Sequence, residues 1–195
     1  MFISYNEACA RDCSTLEQDL VLCEKAGFDY IEIRLDMLTD YLKRHTVEEL
    51  AAFFCTSRLK PHAFNALYLY PEFLSEGDDE ARQKELLEEF RLGCEVGRAI
   101  GSHYFIIVPP LQRDPAGGPY TGSWEDTFSN CVRILKELSR RAEPYDMNLC
   151  FELVGFERSS VRSIGQADAV VRAVDRPNVG FVFDSYNIFL NGGCN

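Results

Sequence analysis

No stretch of this chain stays apolar for the roughly 18 residues that a membrane-spanning helix needs, and its first residues lack the charged-then-apolar pattern of a secretory signal. A membrane partner is not expected, and a cytoplasmic setting is. Basic residues are scarce as well: 20 Lys and Arg stand against 31 Asp and Glu, for a net charge of −11. A nucleic-acid groove wants a basic face, so the balance argues against nucleic acid and for small-molecule chemistry. The phosphate-cradling patterns G-x-x-x-x-G-K and G-x-G-x-x-G are missing. Cysteine is plentiful at eight residues, yet none forms a C-x-x-C pair or lies near a histidine at zinc-ligand spacing. Cys23, Cys94 and Cys131 fall where an amphipathic helix wants a small apolar residue, so they read as reduced core thiols, and a disulfide framework is not expected.

What the chain does have is a repeated unit. Residues 149–155 and 179–187 each contain a short apolar run rich in strand formers, each run leads to one carboxylate, and each follows a segment of helical periodicity. The acids are Glu152 and Asp184. Strands of a parallel sheet are buried on both faces, so a carboxylate within such a run is costly unless something pairs with it. Alternation places Glu152 on the face of Cys150 and Val154, and Asp184 on the face of Val182 and Gly180. Two acids pointing at one spot repel unless a cation sits between them, which makes a divalent metal the candidate. The plainer alternative stays open: an acid at the end of a strand also caps the next helix or pairs with a lysine.

In chain order, residues 2–7 read as a first strand with polar residues at its tip, and Ser14 or Thr15 as the cap of a helix that Gly27 ends. Residues 30–34 form strand two, with Glu32 and Arg34 on one face. Thr46 with Glu49 is a capping box. Strand three covers 61–67, with Asn65 near its tip on the face of Ala63, and His62 on the opposite face, packed beneath a helix. A long charged helix spans 78–100, and strand four spans 104–109. Residues 110–122 carry strong turn chemistry and read as a mobile loop over one end. Ser123 with Asp126 caps the next helix, after which come the Glu152 strand, a helix near 164–174 and the Asp184 strand.

Alternating βα units imply an α/β fold with a parallel sheet. Six units fit either a doubly wound sheet or part of an eight-stranded barrel of about 250 residues. Asn6, Glu32, Asn65, Glu152 and Asp184 recur at the tips of five different strands, which is the barrel's habit, whereas a doubly wound sheet gathers its site at one switch point. The expectation is a (β/α)8 TIM-barrel type with about six of eight βα units present, as one domain over residues 1–195, incomplete at its C-terminus.

The segments 5–8, 22–34, 64–67, 142–145 and 151–155, together with 178–180 and Asp184-Ser185, resemble the xylose isomerase-like TIM barrels, which include sugar phosphate isomerases and epimerases. Within that group the chain is most similar to the 2-keto-myo-inositol (inosose) isomerases of inositol catabolism. The resemblance implies a divalent metal (Mn, Zn, Co or Mg) held by Glu, Asp, His and Glu from four strand ends. It implies isomerisation of a sugar-like α-hydroxyketone through a metal-stabilised enediolate. Glu152 matches the family's first metal-binding Glu and would also take part in proton transfer, and Asp184 matches its Asp. Asn6, Glu32, Asn65 and Asn187 would line the pocket for a sugar or cyclitol substrate.

Three departures accompany the resemblance. The family's metal-binding His and second Glu come from strands seven and eight, which lie beyond this sequence. Asn187 stands where relatives usually carry a histidine, and Arg162 where they tend to carry a small polar residue. A six-stranded barrel would expose two edges, an aggregation liability unless another chain, such as a second copy in a homo-oligomer, covers them. The expectation is a fragment that lacks two metal ligands. Two other readings share the fold: an inosose dehydratase or hydroxypyruvate-type isomerase, and a non-catalytic binding domain.

Overall fold

The computed structural model describes residues 1–10, 12–112 and 117–192. Six strands, β1 (Ser4–Asn6), β2 (Tyr30–Arg34), β3 (Lys60–Tyr68), β4 (Tyr104–Val108), β5 (Asn148–Glu152) and β6 (Val179–Val182), form one sheet in chain order. Every pairing is parallel. Among the described residues seven α-helices accompany them: α1 (Leu16–Ala26), α2 (Leu35–Tyr41), α3 (Val47–Thr56), α4 (Glu80–Ile100), α5 (Trp124–Ala142), α6 (Ile164–Val174) and α7 (Ser185–Leu190). Each β–α step returns to the same sheet, as in a barrel wound in sequence order.

The helix ends follow from their caps. Thr15 accepts from the Gln18 amide, and Gly27 leaves α1 at φ 87°. Thr46 and Glu49 close the capping box reciprocally, as do Ser163 and Gln166 at α6. Asp79 caps α4, and Gly101 ends it at φ 83°. Two glycines on α4, Gly93 and Gly97, face the sheet at contact distance. A Cβ on Gly93 would stand 2.5 Å from Phe105 Cε2, and one on Gly97 2.5 Å from Met147 Cε.

Strand alternation divides the apolar residues between two clusters. Ile31, Ile33, Phe64, Phe105, Ile107, Leu149 and Phe151 face the helices and join Leu20, Leu50, Phe90, Cys94, Cys131 and Leu135 in the main core. Ala63, Ala66, Ile106, Val108 and Val154, with Cys150 and Val182, fill the other face, the inside of the curved sheet. Cys23, Cys94 and Cys131 are buried free thiols, as the helical pattern predicts. β1 and β6 are the sheet's two edges. Phe183, Tyr186 and Phe189 lie exposed just after the second in the chain, and Phe2 and Ile3 just before the first.

Three expectations need correction. The first strand ends at Asn6, and Glu7 opens a 3₁₀ turn over Glu7–Cys9 capped by the Asn6 side chain. His62 does not pack beneath a helix: it is exposed, against the rings of Tyr30 and Tyr104. The cause is a register shift, since Ile31 pairs with Pro61 but Glu32 with Ala63, which leaves His62 as the extra residue of a bulge. Asp184 lies beyond β6, which stops at Val182, and serves as the N-cap of α7.

The predicted loop over 110–122 falls partly outside the described residues. Its described parts are tied to the β5–α6 connection. Leu111 bridges Ser159, the Gln112 amide donates to the Arg158 carbonyl, and the Tyr120 amide donates to that of Glu157.

Candidate active site at the carboxyl ends of the strands

Polar side chains gather where β1, β2 and β3 end. The register sets Asn6 beside Glu32 and Arg34 beside Asn65. Asn6 Nδ2 donates to Glu32 Oε1 at 2.6 Å, and Asn65 Nδ2 donates to the same oxygen at 2.7 Å. Three of the sequence-selected residues thus form one unit, in which two amides hold one carboxylate. Arg34, on the same strand face as Glu32, is engaged by Asp36 through Nε to Oδ1 at 2.9 Å and Nη2 to Oδ2 at 2.5 Å.

A second unit forms at the ends of β5 and β6. Asp184 Oδ1 accepts from the backbone amides of Tyr186 and Asn187, and Oδ2 accepts from Asn187 Nδ2 at 2.7 Å. Asn187 Nδ2 also reaches Glu152 Oε1 at 3.4 Å. The plain reading of Asp184 as a helix cap and the reading of a converging acid pair are therefore both true of it. Glu152 has its carboxyl raised to about 7, first by burial and then by the charges of Asp184 and Glu32. The Glu32 charge is thus felt by Glu152, so the two units interact across the carboxyl ends of the strands. Cys150, two residues before Glu152 on β5, is a thiol pushed up to about 11, chiefly by burial.

Glu152 and Asp184 fit a divalent cation in charge and donor type, because hard cations take carboxylate oxygens. They supply two ligands. Among the described residues no group of three or more His, Cys, Asp or Glu side chains is placed to hold a metal ion. Asn187, at the position where a histidine was expected, is 8% exposed, and both ends of its amide are used.

One functional-looking residue escaped the sequence reading. Glu7 is fully buried, accepts from the Arg34 amide at 2.8 Å, and lies in hydrogen-bonding contact with Asp19 of α1. Its carboxyl is pushed up to about 8, chiefly by burial. Only its place directly after a strand tip hinted at a role, and Asp19 sits in a helical first turn that reads as a solvated face.

A sequence model described as xylose isomerase-like TIM barrel matches residues 20–194. The chain belongs to this family. Among curated relatives, the inosose isomerase of Bacillus velezensis is 39% identical over 98% of this chain and 65% of the relative's length. That of Bacillus subtilis is 37% identical, with 98% and 66% covered. The chain thus spans about two thirds of the length of the curated relatives it matches. A crystal structure of IOLI protein with a binding zinc atom superposes with a TM-score of 0.85 at 37% identity, covering 99% of this chain and 66% of that one. A D-psicose 3-epimerase at 15% identity and TM-score 0.72 shares the fold. Among the described residues no helix is long and apolar enough to cross a membrane.

Proposed function

We propose that residues 1–195 form a single domain that carries the first six βα units of a metal-dependent isomerase acting on a sugar-like or cyclitol α-hydroxyketone such as an inosose. The observation that supports it most is the convergence of Glu152 and Asp184, from neighbouring strand ends, on one amide at the mouth of the sheet. The relatives named inosose isomerase make that substrate class the reading of choice.

Glu152 and Asp184 would hold the divalent cation, with further ligands from outside these six strands. Such a cation would supply Lewis acidity that makes the C–H of the hydroxyl-bearing carbon, next to the carbonyl, more acidic. The remaining chemistry belongs to side chains. Glu152 would take the proton from the hydroxyl-bearing carbon and return it to the former carbonyl carbon through an enediolate, while the hydroxyl proton passes to the former carbonyl oxygen, so that carbonyl and hydroxyl exchange places. Asn6, Glu32 and Asn65 form the opposite wall, where Glu32 presents a carboxylate oriented by two amides to the substrate's hydroxyls. The interior apolar cluster of Ala63, Ile106 and Val154 closes the floor and keeps water from the reacting carbons.

The test is proton exchange. Incubated with 2-keto-myo-inositol in D2O and Mn²⁺, the protein should place deuterium on the carbon next to the carbonyl, and E152Q should not. Faster exchange into hydroxypyruvate would shift the substrate to the smaller hydroxyketone. Absence of exchange with either compound, in a protein that binds Mn²⁺, would leave a binding domain.

A further inference from the structure

Asn187 makes three hydrogen bonds from a nearly buried amide. Its Oδ1 accepts the Gly155 backbone amide at 3.1 Å, and its Nδ2 faces Asp184 Oδ2 at 2.7 Å and Glu152 Oε1 at 3.4 Å. The orientation of the amide follows from its neighbours. A backbone N–H only donates, so the oxygen must face Gly155, and ionised carboxylates only accept, so the nitrogen must face the acids. No other arrangement satisfies all three.

A separate observation shows how closely the backbone is fitted here. A Cβ on Gly155 would come 2.0 Å from the Asn187 carbonyl oxygen and 2.8 Å from Leu190 Cβ. The connection after β5 and the helix after β6 therefore touch backbone to backbone, and the Asn187 side chain spans the same contact. A residue held this way has both donor hydrogens committed to the acids and its oxygen turned to the Gly155 amide. What it does is stand between two acids that burial and mutual repulsion would otherwise drive apart, donating one hydrogen to each.

We propose that Asn187 is a positioning residue that sets the spacing of Glu152 and Asp184 for a divalent cation, with Gly155 as the seat on which it rests, and that it makes no substrate contact. The inference rests on the reading of those two acids as cation ligands.

Two substitutions separate positioning from mere support of the loop. Asn187→Asp keeps an oxygen to accept the Gly155 amide but turns the donor end into a third acceptor. Asn187→Ala removes both ends. Thermal unfolding of the metal-free protein and Mn²⁺ titration by calorimetry are the readouts, with circular dichroism to verify folding.

Positioning predicts that N187A weakens Mn²⁺ binding about 10–100-fold, the usual effect of losing a group that orients a ligand. It predicts that metal-free N187D melts several degrees below wild type and that saturating Mn²⁺ closes the gap, because the cation replaces the lost donor. In an E152Q background the N187D loss should shrink. A purely structural role predicts that N187D melts and binds like wild type, and that result would overturn the proposal, as would unchanged Mn²⁺ binding in a folded N187A. If the wild-type protein binds no Mn²⁺, the functional reading fails instead. The metal-free melting curves then still decide whether Asn187 holds the acids.

Discussion

Two pairs of acids are brought together by this fold, Glu7 with Asp19 and Glu152 with Asp184, and their surroundings send them in opposite directions. Glu7 and Asp19 are sealed between the 3₁₀ turn after β1, α1 and the end of β2, at 0% and 3% exposure. One oxygen of each has a donor, the Arg34 amide for Glu7 and the Ser14 hydroxyl for Asp19 at 2.6 Å. Among the described residues, no donor reaches the other oxygen of either, Glu7 Oε1 or Asp19 Oδ2. A proton carried by Glu7 fills that gap, in keeping with its raised carboxyl. Glu152 and Asp184 sit at the open end of the strands, with an amide donor between them and neither acid fully buried. A sealed pair of acids is neutralised by a proton and becomes structural. A pair at a mouth, held apart by a neutral donor, is suited to a cation.

The contrast is broken most severely at the mouth. Glu152→Gln should lower turnover by about 10²–10⁴-fold, the range for a lost acid–base group, while metal-free stability rises because a repelling charge is gone. Steady-state kinetics and melting curves on one preparation check both halves. The opposite sign holds for the sealed pair. Glu7→Ala removes the partner of the buried Asp19 and strips the Arg34 amide of its acceptor, for a loss of about 3 kcal/mol or more by urea unfolding. Glu7→Gln mimics the protonated acid, with its oxygen for Arg34 and its amide for Asp19, and should be nearly neutral at pH 7.

The pH dependence sharpens the comparison further. Glu7 binds its proton more tightly folded than unfolded, with a carboxyl at about 8 against an ordinary 4.5. Between those values the folded state holds the extra proton, so the stability this group contributes is complete below pH 4.5. It declines as pH rises and is gone once pH passes through 8. Asp19 pushes the Glu7 carboxyl up further and the Arg34 amide and charge pull it down, while Tyr5 and Cys23 feel the Glu7 charge. Melting temperature measured from pH 5 to 9 should fall with rising pH in wild type, and E7Q should lack that component of the slope. The smallest effect belongs to the intermediate case, Glu32. Asn65→Ala removes one of its two amide donors, which should raise KM by about tenfold or more with kcat little changed, in line with about 1.5–3 kcal/mol for a hydrogen bond to a charged group.

Much of this was legible in the sequence because it is written locally. The capping box at Thr46 and Glu49 and the stripe of α6 depend on neighbours three or four positions away, and both elements stand where the pattern puts them. The tip residues Asn6, Glu32 and Asn65 could be grouped because strand alternation fixes their face. What was not legible depends on register and on long-range contact. One extra residue at His62 changes the face it presents, and no local signal marks that bulge. The Glu7–Asp19 pair joins a strand tip to a helix turn twelve positions on, and nothing in the spacing separates a buried Asp19 from a solvated one. Asn187 was chosen as a pocket residue by position, but its hydrogen bonds depend on a backbone contact at Gly155 that exists only after the two loops meet.

Gly93 and Gly97 show how a local weakness becomes a source of order. Each lowers the intrinsic helicity of α4 by about 0.5–1 kcal/mol relative to alanine, and each stands where the ring of Phe105 or the methyl of Met147 leaves no room for a side chain. The helix therefore behaves like a notched rod against a toothed plate. Sliding by one residue would bring Cys94 or Arg98 onto the teeth, so only one axial setting is stable. Substitutions at 93 and 105, or at 97 and 147, should accordingly be tolerated in compensating pairs and rejected singly, a dependence to be found in the covariation of variant libraries rather than in any one mutant.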